Sequence, residues 1–193
     1  MHNYHSSKEC LPAAYLPDRS GRPTDSWRMA ILPYMEQTQL FNSCNFAFAW
    51  DAAENSTTIN TRMSIFARPE DSQTGPTVAK FLAVVGPRTP FPGPVNRTFA
   101  DIKDGLATTL MFGEVAESDI HWAAPRDLKR PDIDPRINGP SRKRSFGSPY
   151  GGARVLMMDT SVRTLNDRTP PATLRALLTI DGGEAIPGWD GVR

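Results

Sequence analysis

The chain has 193 residues, which is enough for one domain with a buried core. Its 22 basic and 21 acidic residues leave a net charge of +1, and this balance argues against a dedicated nucleic-acid-binding protein, which normally carries a strong basic excess. No stretch reaches the roughly 18 consecutive apolar residues of a membrane span, and the 18 prolines and 14 glycines predict many loops and short strands.

The first residues of the chain are predicted to form the end of a helix, over residues 1–9. His2 and His5 are three positions apart and would share one face of that helix. A metal site needs further ligands, and the only other histidine is His121, so we expect polar helix-end residues rather than a metal centre. Three aspartates of the C-terminal loops would suit calcium but lack a tight ligand spacing, so we expect no cofactor: Asp159, Asp167 and Asp181.

The next block, residues 26–45, combines a helix signal with large apolar side chains. Pro33 suits the first turn of a helix, which the apolar spacing then predicts as far as Phe41. Residues 28–32 fit either an extended or a helical segment. The side chains that we expect in the core rather than in a ligand pocket are Trp27, Ile31, Leu32 and Leu40.

Two β-strands are predicted in the middle of the chain, over residues 78–86 and 108–115, and the second follows a turn that begins at Asp104. Glu114 lies in the second strand and is expected to be either a buried carboxylate paired with an arginine or a residue at the rim. With Asp101 and Asp104 it also suggests general acid–base chemistry, but no nucleophile or histidine accompanies these residues in the sequence. Solvation in loops is the more common role, so we expect no enzymatic activity.

A long irregular segment follows, over residues 123–147. From Arg126 to Arg144 it holds seven basic and three acidic residues. A solvated basic loop is the first interpretation, and an interface with an acidic partner, such as an anionic surface polymer, is the second. The residues expected to make that contact are Arg142, Lys143 and Arg144.

A β-hairpin is predicted after this segment, with strands over residues 154–158 and 162–165. Asp159 suits a tight turn, but Thr160 occupies the second turn position. A two-residue turn needs a positive φ there, which is unfavourable for a β-branched side chain. We therefore expect the turn to loosen or to change its type.

The clearest helix is predicted over residues 166–178, with Thr169 as its N-cap. Its apolar stripe consists of Leu174, Leu177 and Leu178. The segment after it, residues 185–193, is expected to be mobile.

Four blocks of the chain carry the motif residues of one known family. The C-terminal block matches at Gly151, Gly152, Ala153, Val155, Leu156, Asp159, Ser161, Val162 and Leu165. The N-terminal block matches at Trp27, Arg28, Leu32, Pro33, Tyr34, Glu36, Gln37, Leu40, Asn42, Asn45 and Phe46. The other blocks run from Phe99 to Glu114 and through Trp122, Pro125, Asp127 and Leu128. These blocks resemble the prepilin-type proteins abundant in planctomycete bacteria, whose H-x9-DG signature has Pro149 here in place of histidine and Thr160 in place of glycine.

The resemblance implies an α+β, pilin-like fold with a single head domain over residues 1–193. In such a fold the end of an N-terminal helix packs on an antiparallel sheet with long loop insertions and a short C-terminal helix. The relatives begin with an apolar membrane helix, so we expect residues 1–9 to be the remnant of one. Their typical disulfide is not expected, because Arg68 stands at a cysteine position, and Cys10 and Cys44 are expected to be free, buried thiols.

The resemblance also implies a non-catalytic pilin- or pseudopilin-like structural subunit of a type II secretion or surface-fibre system. The expected partners are other pilin-like subunits or secretion machinery, at an extracytoplasmic or cell-surface location, with membrane contact only through the upstream helix and without nucleic acid. The alternative is an extracytoplasmic solute- or glycan-binding module with an aromatic-lined cleft. Its candidate residues are Trp27, Trp50 and Trp122.

Overall fold

A computed structural model describes residues 1–68 and 77–186. The fold is α+β, as predicted, with short helices, mainly antiparallel strand pairs and a short C-terminal helix. Contacts group the chain into two compact units: unit 1 is Met1–Ala79, Phe91–Thr98 and Asp119–Asp127, and unit 2 is Lys80–Pro90, Phe99–Ser118 and Leu128–Arg193. No helix in the described part of the chain combines the length and the apolar character that a membrane crossing requires.

Unit 1 contains short helices and one small hairpin. The elements are α1 (His2–Lys8), β1 (Tyr15–Pro17), β2 (Pro23–Ser26), α2 (Trp27–Ala30), α3 (Thr38–Asn42) and α4 (Ser56–Ile59). β1 and β2 pair antiparallel, with Leu16 opposite Asp25. Asp18 closes the turn between them, because its Oδ1 accepts hydrogen bonds from the backbone N–H of Ser20 and of Arg22 at 2.8 and 3.0 Å.

The helix predicted from Pro33 to Phe41 is interrupted. Leu32–Met35 form a 3₁₀ turn, Glu36 adopts a left-handed conformation with φ 61°, and α3 begins only at Thr38. The left-handed residue ends the first helical turn, as such residues commonly do. Residues 28–32, which the sequence left open between extended and helical, are helical as far as Ala30.

The core of unit 1 is aromatic. The ring centroid of Trp27 lies 6.0 Å from that of Phe66 and 6.1 Å from that of Phe91, and Phe66 stacks on Trp122 at 6.3 Å. The indole N–H of Trp122 donates to backbone carbonyls of residues 59 and 61, so its one polar atom is satisfied inside the core. Trp27, Ile31 and Leu32 are buried as predicted, whereas Leu40 is half-buried.

A buried ion pair joins α2 to the end of the segment 119–127. Arg28 Nη2 lies 2.5 Å from Asp127 Oδ1, and the two side chains are 0% and 1% exposed. Asp127 Oδ2 also accepts hydrogen bonds from Arg28 Nη1 at 3.3 Å and from Trp27 Nε1 at 3.0 Å. The guanidinium carbon of Arg28 lies 4.6 Å from the Trp27 ring centroid, a cation–π distance. This carboxylate therefore anchors two consecutive side chains of α2.

Unit 2 is organised around a four-stranded antiparallel sheet. Its elements are β3 (Phe81–Leu82), β4 (Val84–Val85), β5 (Leu110–Glu114), β6 (Leu128–Lys129), β7 (Ala153–Met157), β8 (Val162–Leu165) and α5 (Pro171–Leu177). The sheet order is β3-β5-β7-β8, while β4 and β6 form a separate parallel pair. The strand predicted over residues 78–86 is thus divided at Ala83, and its two halves pair with different partners. β6 lies inside the segment that was predicted to be irregular.

The two central strands of this sheet are joined by an ion pair between a buried carboxylate and a partly exposed arginine. Glu114 is 0% exposed, and its Oε2 lies 3.0 Å from Arg154 Nε, which confirms the first of the two roles predicted for it. Burial raises the pKa of Glu114, but hydrogen bonds from Arg154 and Ser148 lower it by more, so the pKa lies below its ordinary value. On the same strand the Phe146 ring covers Gly113, where any side chain would collide with it.

The predicted hairpin is confirmed, and its turn has changed type. Leu156 pairs with Val162, Met157 N–H donates to the Ser161 carbonyl at 2.9 Å, and three residues remain in the loop. The last of them, Thr160, has φ 74°. This is the three-residue hairpin loop in which glycine is favoured at the left-handed position.

The C-terminal helix is shorter than predicted. α5 begins at Pro171 without a side-chain cap, so the predicted capping by Thr169 is wrong, but the three leucines of its stripe are buried. Two glycines that follow the helix are held by Asp104. Its carboxylate accepts hydrogen bonds from the backbone N–H of Gly182 and Gly183 at 2.7 and 2.8 Å. Of the predicted mobile segment, residues 187–193 lie outside the described residues.

The hairpin turn predicts a stabilising substitution. Thr160→Gly should raise the free energy of unfolding by about 1 kcal/mol, because glycine adopts a positive φ without steric cost and the exposed threonine loses little packing. The measurement is chemical denaturation. Thr164→Gly on β8 is the matched control and should lower the same free energy by about 1 kcal/mol. Destabilisation by both glycines would contradict the account of the turn.

The buried ion pair of unit 1 predicts a large penalty when one partner is removed. Asp127→Asn should lower the free energy of unfolding by about 3–5 kcal/mol, because it leaves the Arg28 guanidinium buried without its counter-charge. In the same unit, Asp119→Asn removes the exposed partner of Arg126 and should change stability by at most about 1 kcal/mol. Equal effects of the two substitutions in urea titrations would show that the buried pair has no special role.

Candidate functional site

Unit 1 contains a groove of about 500 Å³, which lies within the usual volume range of small-molecule sites. Its lining residues come from α1, the β1–β2 hairpin, the α2 segment and α3. They are Tyr4, Lys8, Leu16, Pro17, Thr24, Asp25, Ser26, Ala30, Pro33, Tyr34, Phe41 and Phe46. Several short elements within residues 4–46 therefore build one concave surface.

Local sequence features place the aromatic side chains of this groove. Tyr4 lies on the first turns of α1, and Tyr34 follows Pro33 in the 3₁₀ turn. Their rings meet edge to face at 5.3 Å and 64°, and the Tyr34 hydroxyl lies 3.1 Å from Ser7 Oγ on α1. Phe41 of α3 and Phe46 lie 5.0 Å apart at an angle of 44°. The groove is thus lined by two pairs of rings, each set at an angle.

The groove also contains a carboxylate that lacks a charge partner. Asp25 and Ser26 are 4% and 1% exposed. Asp25 Oδ1 and Ser26 Oγ are buried and have no hydrogen-bond partner among the residues that the structure describes. Polar atoms in this situation cost free energy, and in native proteins nearly all of them are satisfied. The two atoms therefore mark a place where a ligand could supply hydrogen-bond donors.

The electrostatics of this carboxylate follow from its burial. Burial raises the pKa of Asp25, and a hydrogen bond from the Thr24 side chain opposes the rise only in part. Nearby, burial and the negative charge of Asp25 together raise the pKa of the Cys44 thiol to about 11. The thiol is therefore protonated at neutral pH and is not poised as a nucleophile.

The tryptophans predicted to bind a sugar lie in different environments. Trp27 and Trp122 are 2% and 0% exposed and belong to the aromatic core of unit 1. Trp50 is half-buried, and its ring lies 5.1 Å from that of His121. Burial lowers the pKa of that histidine. The sugar-binding role stays a prediction, but only Trp50 of the three has a substantial exposed surface.

The predicted basic residues belong to unit 2. Arg142 Nε lies 2.6 Å from Glu117 Oε1, whereas Lys143 and Arg144 have exposed side chains.

Both cysteines are free and half-buried, so they are thiols as predicted but are less buried than expected.

The aspartates considered for calcium have protein partners. Asp159 accepts from Ser161 Oγ at 2.6 Å, Asp167 accepts from Asn138 Nδ2 at 2.7 Å, and Asp181 pairs with an arginine. Over residues 1–68 and 77–186 no three histidine, cysteine or acidic side chains come together in a metal-binding group.

Sequence reasoning missed the groove. Asp25 lies in a segment rich in proline, glycine and arginine, where an exposed loop is the ordinary expectation. Its burial depends on pairing between β1 and β2 and on neighbours contributed by α1 and α3. The sequence signal for the groove is the aromatic content of residues 26–45, a block for which packing was the preferred prediction over a ligand pocket.

The unpaired carboxylate predicts a specific pH dependence of stability. Below the unfolded-state pKa, which is 3.8, Asp25 is protonated in both states; as pH rises through the higher folded-state pKa, its ionisation lowers the stability of the folded protein. Relative to Asp25→Asn, the wild type should therefore lose stability as pH rises above the unfolded-state pKa toward neutrality.

Urea titrations across this pH range measure that difference. The matched control is Asp51→Asn, which removes an exposed carboxylate of unit 1 outside the groove. A difference between wild type and Asp25→Asn that does not change with pH would rule out a raised pKa for Asp25.

The comparison with known proteins assigns the chain to a family. The family model SBP_bac_10, a protein of unknown function (DUF1559), matches residues 1–136. No curated protein and no solved structure gives a significant match. The matched region includes all the residues that line the groove and both partners of the buried Arg28–Asp127 pair. Because this match extends over more than half of the sequence, the chain belongs to the DUF1559 (SBP_bac_10) family.

Proposed function

We propose that the chain is the non-catalytic head of a pilin- or pseudopilin-like subunit in a type II secretion or surface-fibre system, from the H-x9-DG branch found in planctomycete bacteria. One observation carries the proposal: many of the motif residues shared with that branch have fold-building roles. Enzymes and dedicated binding proteins instead concentrate their characteristic residues in an open cleft.

The motif residues of unit 1 show what these fold-building roles are. Trp27, Arg28 and Leu32 are each at most 2% exposed, and the first two are hydrogen-bonded to Asp127, which belongs to another motif block. Two separate motifs are thus two halves of one buried interaction, and their shared role is to hold the fold together.

The motif residues of unit 2 pack and hydrogen-bond within the four-stranded sheet. Val155 and Leu165 are buried on paired strands, and Glu114 accepts from the backbone N–H and the guanidinium of Arg154. Gly152 has φ 64°, and a side chain there would meet the Leu165 carbonyl. A head domain whose shared residues maintain the fold leaves its surface free to differ between subunits.

In this proposal the head is extracytoplasmic and is anchored by an apolar helix that precedes residues 1–9. Residues 123–147, here called the basic segment, make the lateral contacts to neighbouring subunits or to an anionic surface polymer. Its exposed cations, Lys143 and Arg144, follow Arg142, whose charge Glu117 partly offsets. The expected recognition is electrostatic, so it should weaken as ionic strength rises.

The test joins a pilin-type leader and apolar helix to the N-terminal end of the chain and co-expresses this fusion with a prepilin peptidase and an assembly platform. We expect leader cleavage, detected by mass spectrometry, and incorporation into filaments, detected by electron microscopy and cross-linking. Arg144→Glu should reduce incorporation about threefold or more, because it reverses a charge in the proposed contact.

The matched control for this charge reversal is Arg168→Glu, an exposed position of the same unit outside the basic segment. It should leave incorporation unchanged. A fusion that stays uncleaved, or one that is cleaved but never enters a filament, would overturn the assembly proposal. Equal effects of Arg144→Glu and Arg168→Glu would show that the basic segment does not make the assembly contact.

A second candidate function is the solute-binding module that the sequence also predicted. The observation in its favour is the groove, where Pro33, Tyr34 and Phe46 are motif residues that line a concave surface. The same surface contains the buried, unpartnered Asp25 Oδ1. Ligand binding and assembly are compatible roles, since the exposed basic residues of the assembly proposal are not among those that line the groove.

A further inference from the structure

We infer that the groove of unit 1 binds an organic ammonium group, a protonated or methylated amine on an apolar body, with Asp25 as its counter-ion. This inference deepens the second candidate function, solute binding, and does not depend on the assembly proposal. It rests on three features of the groove: its carboxylate, the arrangement of its rings and its apolar walls.

The carboxylate selects the charge of the ligand. Asp25 and Ser26 line the groove, and their atoms Oδ1 and Oγ have no hydrogen-bond partner among the described residues, so the site has unused acceptor capacity. An ammonium group supplies several donors and a compensating positive charge, whereas a neutral hydroxyl supplies one donor and no charge. An anionic ligand would add repulsion to the desolvation of the carboxylate. A cation is therefore the occupant that relieves both costs.

The aromatic lining favours a cation. Tyr4 and Tyr34 meet at 64°, and Phe41 and Phe46 meet at 44°. All four rings line the groove. The negative face of an aromatic ring attracts an ammonium group, as in the aromatic cages that bind such groups.

The remaining walls fit an apolar body. Leu16, Pro17, Ala30 and Pro33 contribute aliphatic surface, and Leu16 lies directly opposite Asp25 in the hairpin. The other charged residue of the lining is Lys8, which is exposed on α1. Its positive charge opposes a cationic ligand, so removing that charge should strengthen binding. This expectation separates ammonium binding from the binding of a carboxylate, which Lys8 would favour.

The experiment is calorimetric titration of the full chain with 2-phenylethylammonium and with tetramethylammonium. The neutral comparison ligand is 2-phenylethanol, which keeps the apolar body and lacks the charge. We expect 2-phenylethylammonium to bind, and the alcohol to bind at least about tenfold more weakly because it lacks the positive charge. Tetramethylammonium has the charge but no N–H donor for Asp25 and Ser26, so it should bind more weakly than 2-phenylethylammonium. Affinity for the cations should rise with pH as Asp25 ionises; Tyr4, Tyr34, Lys8 and Cys44 are the other titratable groups at or near the carboxylate.

Four substitutions locate the site. Asp25→Asn should weaken cation binding about tenfold or more, whereas Asp51→Asn, outside the groove, should leave it unchanged. Phe46→Leu keeps an apolar side chain but removes a ring and should weaken binding about threefold. Its control is Phe48→Leu: both phenylalanines are about equally exposed, at 41% and 44%, but only Phe46 lines the groove.

The outcomes distinguish this inference from the broader functions. Equal binding of the alcohol and the ammonium, or equal affinity of wild type and Asp25→Asn, overturns the ammonium assignment and leaves solute binding standing. Absence of binding by all three probes overturns the inference, while leader cleavage and filament assembly test the structural proposal separately. Weaker cation binding by Lys8→Gln also contradicts the assignment, because loss of a like charge should strengthen it.

Discussion

The buried contact between Arg28 and Asp127 is the constraint on which unit 1 depends. Its two residues are 99 positions apart in the chain, and neither side chain has more than 1% of its surface exposed. Desolvating both charges is costly, so the pair is retained only where its geometry and hydrogen bonding are good. Trp27 contributes to both, through its indole N–H and through the ring face beneath the guanidinium. The pair thereby fixes α2, and the residues that follow α2 form one wall of the groove.

The buried carboxylates of this protein differ in whether they have an arginine partner. Asp127 and Glu114 each have an arginine partner, which is buried for Asp127 and partly exposed for Glu114, and hydrogen bonds hold the pKa of Glu114 below its ordinary value. Asp25 is equally inaccessible, yet one of its oxygens has no partner in the described residues and burial raises its pKa. Paired carboxylates stabilise a fold, whereas an unpaired one is a cost that natural proteins tend to keep at functional sites. This contrast is why the groove, and not either ion pair, is our candidate for ligand binding.

Membership of the DUF1559 family and the use of its motif residues fit together. Several residues of the matched region are buried in the aromatic core of unit 1, among them Trp27, Arg28 and Trp122. Thr160 is informative in a different way, because it adopts a left-handed conformation although its side chain is β-branched. The rest of the hairpin ladder therefore determines the turn, and the local residue bears the strain.

The sequence by itself determined the C-terminal hairpin and the leucine stripe of α5, because these depend on short-range periodicity and turn chemistry. The family resemblance implied the α+β class, and the paired role of Glu114 was one of two that the sequence left open. The sequence did not determine where the helix after Pro33 would break, how the strand near Ala83 would divide, or that Asp25 would be buried. Those outcomes depend on partners distant in the chain. Only the tertiary structure brings α1, the first hairpin and α3 around one carboxylate, since burial and pairing are properties of contacts that no local pattern encodes.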